Sequence, residues 1–333
     1  MKVLVTGGAG YIGSTICSAL EEKGHLPIVL DTLVNGREEF ICDRIFYKGD
    51  ICDEQILKRI FNENTGIECV IHCAALIFVP ESMEKPYEYY NENVAKSISF
   101  FNILNKLGCN NVIFSSSASI YDDIEGFMVK ESSPKNPRSP YARTKFMIEM
   151  ILEDYCKAYD MRGIALRYFN VIGADPRMRT GMYAKNPSHI LGRLVKVASR
   201  EEEKFYITGD KWPTRDGSGI RDYIHVWDVA TAHVSAVERI GGLSEDNRFI
   251  AMNIGRGDGV TVKEFVKQFE KVIGQEINKE VTFARAGDVA GAYSNVELSK
   301  NVLGWQAELS IDDGIRHALE WDKVSVERLS YHE

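Results

Sequence analysis

No stretch of the sequence is apolar for long enough to cross a bilayer. The opening MKVLVTGGAG is broken by glycine after a few apolar residues, too soon for the hydrophobic centre of a signal peptide. Positive charge is not in excess either: 40 basic against 48 acidic residues leave a net charge of −8 over 333 residues. That balance disfavours attraction to nucleic acid or to an anionic membrane, so neither is expected as a partner, and a phosphorylated ligand must be held by local arginines. Cysteine is missing beyond residue 156, and Cys17, Cys42, Cys52, Cys69, Cys73, Cys109 and Cys156 show no CxxC spacing. An odd count with several in apolar runs argues for reduced, mostly buried thiols in a cytoplasmic protein, and no metal is expected. Internal repeats and low-complexity tracts are absent.

What is present is an alternation of short apolar runs with longer amphipathic stretches, and 44% hydrophobic residues suffice for a proper core. Strands are expected at 2–6, 27–31, 45–50, 68–74, 111–116 and 163–170, and helices near 12–23, 53–64, 86–107 and 141–159. Six strands joined by crossover helices make an α/β protein with a doubly wound parallel sheet. Ligands of such sheets bind beyond the carboxyl ends of the strands, which here carry Gly7, Asp31, Asp50, Ala74 with Ala75, Ser117 and Asn170. All are small or able to hydrogen-bond, which suits one continuous crevice. Regularity changes after Asn170, where residues 174–190 hold two of the nine prolines. We therefore expect residues 1–171 to form the first domain, with 222–240 packing back onto it, and 172–333 to form a smaller α/β lobe that closes over the crevice.

Between the first strand and first helix stands TGGAGYIGS. Gly8, Gly10 and Gly13 read GxGxxG, and Gly7, Gly10 and Gly13 read GxxGxxG. Such spacing alone is a weak signal, but here it falls where strand becomes helix, and Asp31 ends the next strand 18 residues after Gly13. Glycine admits a pyrophosphate close to the backbone, the helix N-terminus supplies positive potential, and a carboxylate accepts both ribose hydroxyls. Asp31 would repel a 2′-phosphate, which favours NAD over NADP. Arg37, in GREEF, is expected to pair with Glu38 or Glu39.

The segment SPYARTK places Tyr141 four residues ahead of Lys145. With 15 tyrosines and 21 lysines in the chain, that spacing arises about once by chance, so it gains meaning only from context. On a helix the two share a face. At about 5 Å and an effective dielectric of about 20 their charges attract by roughly 3 kcal/mol, enough to draw a phenol well below its ordinary pKa. Beside a bound nicotinamide, Tyr141 would then serve as general base, Lys145 would hold the nicotinamide ribose, and Ser117 would relay the proton. Ser115, Ser116 and Ser119 are rivals for that last role.

TGGAGYIGS, VLDTLVNG, SSSASIY, SPYARTK, LRYFNVIGADP and DGSGIRDYIHVWDVATAHVSAVE together resemble the UDP-glucose 4-epimerases of the extended short-chain dehydrogenase/reductase family, from residue 2 to about 322. The resemblance implies a Rossmann-type fold and an isomerase that keeps NAD bound, takes hydride from C4 of a UDP-hexose and returns it to the opposite face of the 4-keto sugar. It implies cofactor contacts from Gly7, Gly10, Tyr11, Ile12, Gly13, Asp31, Asn35, Asp50, Ile51, Ala74, Ala75, Tyr141 and Lys145. The UDP portion would be held by Asn170, Arg221, Arg285 and Asp288, the arginines offering two donors at once. Arg221 could instead pair with its neighbour Asp222, and His189 could be a solvated loop residue as readily as a sugar or uridine contact. His225 is read as structural. Ala292 stands where larger side chains exclude N-acetylated sugars in some relatives, which leaves room for UDP-GlcNAc and UDP-GalNAc. The resemblance also implies a homodimer built through the helices near 86–107 and 141–159, where Ile98, Phe101, Ile103, Leu104, Met147, Ile151 and Leu152 are apolar positions that would serve a monomer core equally well.

Three departures stand out: Ile77 where the family often has lysine, SHILGR at 188–193 in the substrate loop, and Asp122 where glycine is usual. A 4,6-dehydratase on the same scaffold needs an Asp-Glu pair after its serine or threonine, and Ser117 is followed by Ala118 and Ser119. Another epimerase, acting on a pentose or uronic acid, remains open. A silent NAD-binding regulator would be expected to lose the tyrosine or the lysine, and both are here.

Overall fold

The computed structural model describes residues 1–184, 187, 189–284 and 289–329. Apolar runs punctuated by glycine form β1 (Lys2–Thr6) and β2 (Leu26–Asp31), with α1 (Tyr11–Glu22) between them. β3 (Ile45–Lys48), α2 (Glu54–Glu63) and β4 (Ile67–His72) continue the alternation, and Asp53 starts α2 by accepting from the amides of Gln55 and Ile56. The stretch expected as one helix over 86–107 is divided. After α3 (Val79–Glu84) come α4 (Pro86–Tyr89), a π-helical turn over Tyr90–Ala95 and α5 (Lys96–Lys106). The wide turn holds Asn93, whose amide bonds both main-chain groups of Leu76, at 2.8 and 3.0 Å, and the Thr144 hydroxyl at 3.1 Å.

β5 (Asn111–Ser117) and the short β6 (Met128–Val129) lead to α6 (Pro140–Ala158), which begins with Ser139 as cap and proline at its first position. β7 (Arg162–Tyr168) and β8 (Asn170–Ile172) follow, then α7 (Ile190–Ala198), β9 (Phe205–Thr208), β10 (Ile220–Arg221), β11 (Tyr223–His225) and α8 (Val226–Arg239). The chain closes with β12 (Phe249–Ile254), β13 (Val260–Thr261), α9 (Val262–Ile273), β14 (Lys279–Thr282), β15 (Gly291–Ser294), α10 (Glu297–Leu303) and α11 (Ile311–Leu329).

The main sheet runs β12-β7-β5-β4-β1-β2-β3 with every pairing parallel. It has seven strands where the sequence suggested six. The extra one, β12, lies at an edge, so its first three residues are only half-buried and the apolar signal is weak. Strand order reverses between β1 and β4, which opens the crevice at their carboxyl ends. Alternation along the strands sends Val3, Val5, Ile71 and Ile113 to one face against Ile16, Leu20, Val229 and Val237 of α1 and α8. Leu4, Ile28, Val70, Val112 and Phe114 go to the other face, against Phe100, Leu104, Ile148 and Leu152 of α5 and α6. A separate cluster gathers Ile172, Leu194, Phe205, Tyr223, Phe265 and Ile315.

Candidate active site

The carboxyl end of β1 turns through Gly7, whose φ of +69° puts it in the region glycine adopts freely, and a Cβ there would lie 2.8 Å from the Ala74 amide nitrogen. A Cβ on Gly13 would collide with the Gly7 carbonyl. The turn is thus packed to its limit against the segment after β4, and only glycine leaves a cradle at the start of α1. The first amides of that helix, from Tyr11 and Ile12, have no partner within it and open toward the cradle. Asp31, buried at the end of β2, accepts the Ala9 amide at 3.0 Å and the Leu33 amide at 2.8 Å. Each carboxylate oxygen keeps a lone pair for a further donor. The cradle, the helix terminus and the carboxylate fit the pyrophosphate and ribose of a dinucleotide.

The other expected cofactor contacts line the same edge. Asp50 pairs with Lys96 at 2.6 Å and caps the turn of Cys52 at 3.1 Å; those donors hold its carboxyl below the usual range although burial opposes them. Ile51 is buried and Asn35 exposed, while Ala75 continues from Ala74. Arg37 forms no ion pair with Glu38 or Glu39 among the described residues. Its guanidinium lies 3.9 Å from the centre of the Tyr183 ring instead, because stacking on a π face keeps the exposed charge hydrated while covering the ring.

Tyr141 opens α6 and Ser117 ends β5, and the Ser117 hydroxyl is near enough to the phenol to favour its ionised form. Ser117 is also 2.9 Å from the Ser119 hydroxyl. Lys145, fully buried one helical turn on, donates to the Ser115 carbonyl at 2.8 Å, and its Nζ is 5.9 Å from the Tyr141 ring centre. The electrostatics differ from the sequence expectation. Burial raises the Tyr141 phenol above its ordinary pKa, with the Ser117 hydroxyl pulling the other way, and burial draws Lys145 down to about 8. Desolvation penalises the charged form of both groups, and in the protein alone it outweighs their mutual attraction.

Across the crevice, β10 and β15 lie in parallel register with Arg221 opposite Ala292. Arg221 does not pair with Asp222. Its Nη1 donates to the Ile220 and Ala290 carbonyls at 2.7 and 2.9 Å, while Asp222 is fully buried and gathers the amides of Arg256, Gly257 and Ser294 at 2.9, 3.1 and 3.0 Å. The guanidinium is fixed by main-chain oxygens and retains donors for a diphosphate. Asn170 is exposed at the start of β8. His189 caps α7 by accepting the Gly192 amide through Nδ1, so in the neutral ring Nε2 carries the proton; burial holds the ring neutral, with its pKa near 4. It lines a cavity of about 70 Å³ together with Tyr11, Gly173 and Trp321. His225 is structural: it caps α8 and meets His317 at 3.0 Å. Arg285 and Asp288 lie outside the described residues.

The sequence profile of the NAD dependent epimerase/dehydratase family matches residues 3–255. The chain belongs to that family. Over 324 residues it is 39% identical to the UDP-glucose 4-epimerase of Halalkalibacterium halodurans, covering 97% of this chain and 96% of that protein. The crystal structure of the UDP-glucose 4-epimerase of Stenotrophomonas maltophila, with bound NAD and formylated UDP-arabinopyranose, superposes with a TM-score of 0.93 at 33% identity over 98% of this chain and 99% of that one. The UDP-Glc/GlcNAc 4-epimerase of Campylobacter jejuni does so with 0.82 at 32% identity, over 97% and 99%.

In this NAD dependent epimerase/dehydratase, two site features escaped the sequence reading. Asn93 clamps the segment after β4 to α6, and its only sequence signal is an amide in mid-helix, where hydrogen bonding to the backbone is unusual. Ser116, Glu149 and Arg167 converge beneath Lys145 from three elements that no local pattern connects. Of the departures, Ile77 is exposed on the crevice rim, and Asp122 accepts from Asn136 and Arg138 at 3.2 and 3.1 Å.

Proposed function

We propose that the protein is an isomerase that interconverts C4 epimers of UDP-hexoses with NAD held as a resident cofactor. The observation that carries this reading is the convergence of the Ser117 and Tyr141 hydroxyls on the crevice edge, with Lys145 one turn below and the glycine cradle alongside. NAD, when bound, supplies the reversible hydride acceptor. The chain's own residues then manage protons and position: Tyr141 takes the C4 hydroxyl proton and returns it, Ser117 orients that hydroxyl, and Lys145 adds positive charge below the phenol. Because burial alone raises the Tyr141 pKa, its function as a base requires further positive charge in the crevice. Oxidised nicotinamide brings such charge.

Asn170, His189 and Arg221, with Arg285 and Asp288, hold the UDP portion, residues 1–171 with 222–240 acting as the cofactor domain and the remaining C-terminal elements as the sugar-nucleotide lobe. Ala292, beside Arg221, is small enough to admit an acetamido group, so N-acetylated sugars are accepted besides UDP-glucose and UDP-galactose. The Campylobacter jejuni relative, named for both sugars, supports this breadth. The protein acts in the cytoplasm as a homodimer. Ser117 leads to Ala118 and Ser119, with no acid and base pair for eliminating water, which disfavours dehydration.

The test is incubation of the purified protein with UDP-glucose, UDP-galactose and their N-acetylated counterparts, with and without NAD, followed by chromatography of the sugar nucleotides. Interconversion without added cofactor is expected. A 4-keto-6-deoxy product, or no product even with NAD, overturns the reading.

A further inference from the structure

Beneath Tyr141 and Lys145 lies a buried charge pair that the reaction above does not use. Glu149 follows Lys145 by one turn of α6 and is 2% exposed; Arg167, on β7, is 5% exposed. The guanidinium forks onto the carboxylate, Nε at 2.9 Å from Oε1 and Nη2 at 2.6 Å from Oε2. The fully buried Ser116 hydroxyl donates to the same Oε1, and Arg167 Nη1 donates to the Tyr121 hydroxyl at 2.9 Å and to the Glu131 carbonyl at 3.2 Å. One carboxylate therefore joins α6, β5 and β7. Burying two charges costs about as much as their attraction returns, so net stability is a weak explanation for the pair.

The location suggests a different one. Ser116 stands between Ser115, whose carbonyl holds the Lys145 ammonium, and Ser117, whose hydroxyl lies near the phenol. Side chains alternate along a strand, so anchoring Ser116 toward α6 turns the Ser115 side chain to the opposite face, where it contacts Cys73 at 2.9 Å and His233 at 3.2 Å, and fixes the main chain from which Ser117 follows at the strand end.

We propose that Glu149, held by Arg167, is a positioning residue for the epimerisation: it fixes Ser116, and through it sets the Ser115 carbonyl and Ser117 hydroxyl against Lys145 and Tyr141. This rests on the function proposed above. The carboxylate also favours the charged form of Lys145, which burial opposes.

The experiment compares the unaltered protein with Glu149→Gln, with Ser116→Ala, and with the double change Glu149→Leu and Arg167→Met, which removes both charges and so avoids leaving one unpaired. For each, kcat and KM for UDP-galactose, the pH profile of kcat, the bound NAD and the Tm are measured. The expected result is a fall in kcat of about a hundredfold for Glu149→Gln and for the double variant, and of about tenfold for Ser116→Ala, as misplacement of reacting groups produces. KM and NAD content stay close to those of the unaltered protein, and the limb of the pH profile set by Lys145 moves to lower pH in Glu149→Gln. Should Glu149→Gln fail to fold, the double variant and Ser116→Ala decide. Unchanged kcat in both, or losses of kcat, NAD and Tm that simply run in parallel, overturns the proposal while leaving the function intact. Absence of turnover in the unaltered protein overturns both.

Discussion

A phenol surrounded by protein holds its proton unless something nearby stabilises the anion. Tyr141, half-buried, leans that way in the protein alone, since burial raises its pKa and the nearby Ser117 hydroxyl compensates only in part. Its contribution to the reaction should therefore be lost completely with its oxygen, while its ring matters little to binding. Tyr141→Phe is expected to lower kcat by about a thousandfold with NAD content unchanged, measured by turnover and by the absorbance of released cofactor. Asp222 illustrates the opposite kind of residue, one whose value is structural. It satisfies three main-chain amides and the Ser294 hydroxyl inside the protein, at 2.5 Å for the last. Asp222→Asn turns an amide group toward those donors and should cost about 2 kcal/mol or more, read as a lowered Tm, and should weaken UDP binding through displacement of the adjacent Arg221.

Among the elements, α5 and α6 each have two apolar faces with different fates. Phe101, Ile103, Leu104 and Leu152 are buried in the monomer, whereas Ile98 at 42% exposure, Met147 and Met150 face outward. The sequence left these groups undivided, because an apolar residue at helical spacing does not reveal which of two partners it packs against. The strands and helices that alternate in the first 170 residues were legible for a simpler reason: each buries a stripe of regular period, and glycine or a capping residue marks its end. The glycine loop, Asp31, Tyr141 and Lys145 were legible because each sits at such a boundary. The π-helical turn, β12 and the Glu149 anchor were not, since each depends on a contact between segments far apart in the chain. If the outward face is the subunit interface, Ile98→Glu places a charge at its centre on both copies. Light scattering of that variant should report the mass of one chain where the unaltered protein reports two; a dimer of undiminished strength would exclude α5 from the interface.

For the molecule as a whole, the buried histidines set its response to acid. His72, His225 and His233 are each about 1% exposed or less, and burial lowers their pKa values to about 3, 3 and 4. The neighbouring charges do not reverse this: Lys145 and His317 push in the same direction, and Asp313 opposes weakly at His225. In the unfolded chain these rings take up protons below about pH 6.5, whereas the folded protein keeps them neutral. The unfolded state then binds more protons, so stability is fully present above that pH and is lost as the pH falls toward 4. Each ring contributes about 2 kcal/mol of loss between pH 6.5 and 5. Asp228 works against them over part of this window. Burial pushes its carboxyl up to about 6, so the folded state gains on the unfolded one as the pH drops from 6 toward 4. Burial raises Asp222 and Asp322 as well, and it lowers His189 and His317 along with the other rings, so five rings stand against three carboxyls. The Tm should fall steadily from pH 7 to pH 5 in calorimetry, and His233→Asn should reduce the slope. A flat profile across that range would mean that the rings take up protons within the folded protein, and that the core around β4, β5 and α8 admits water.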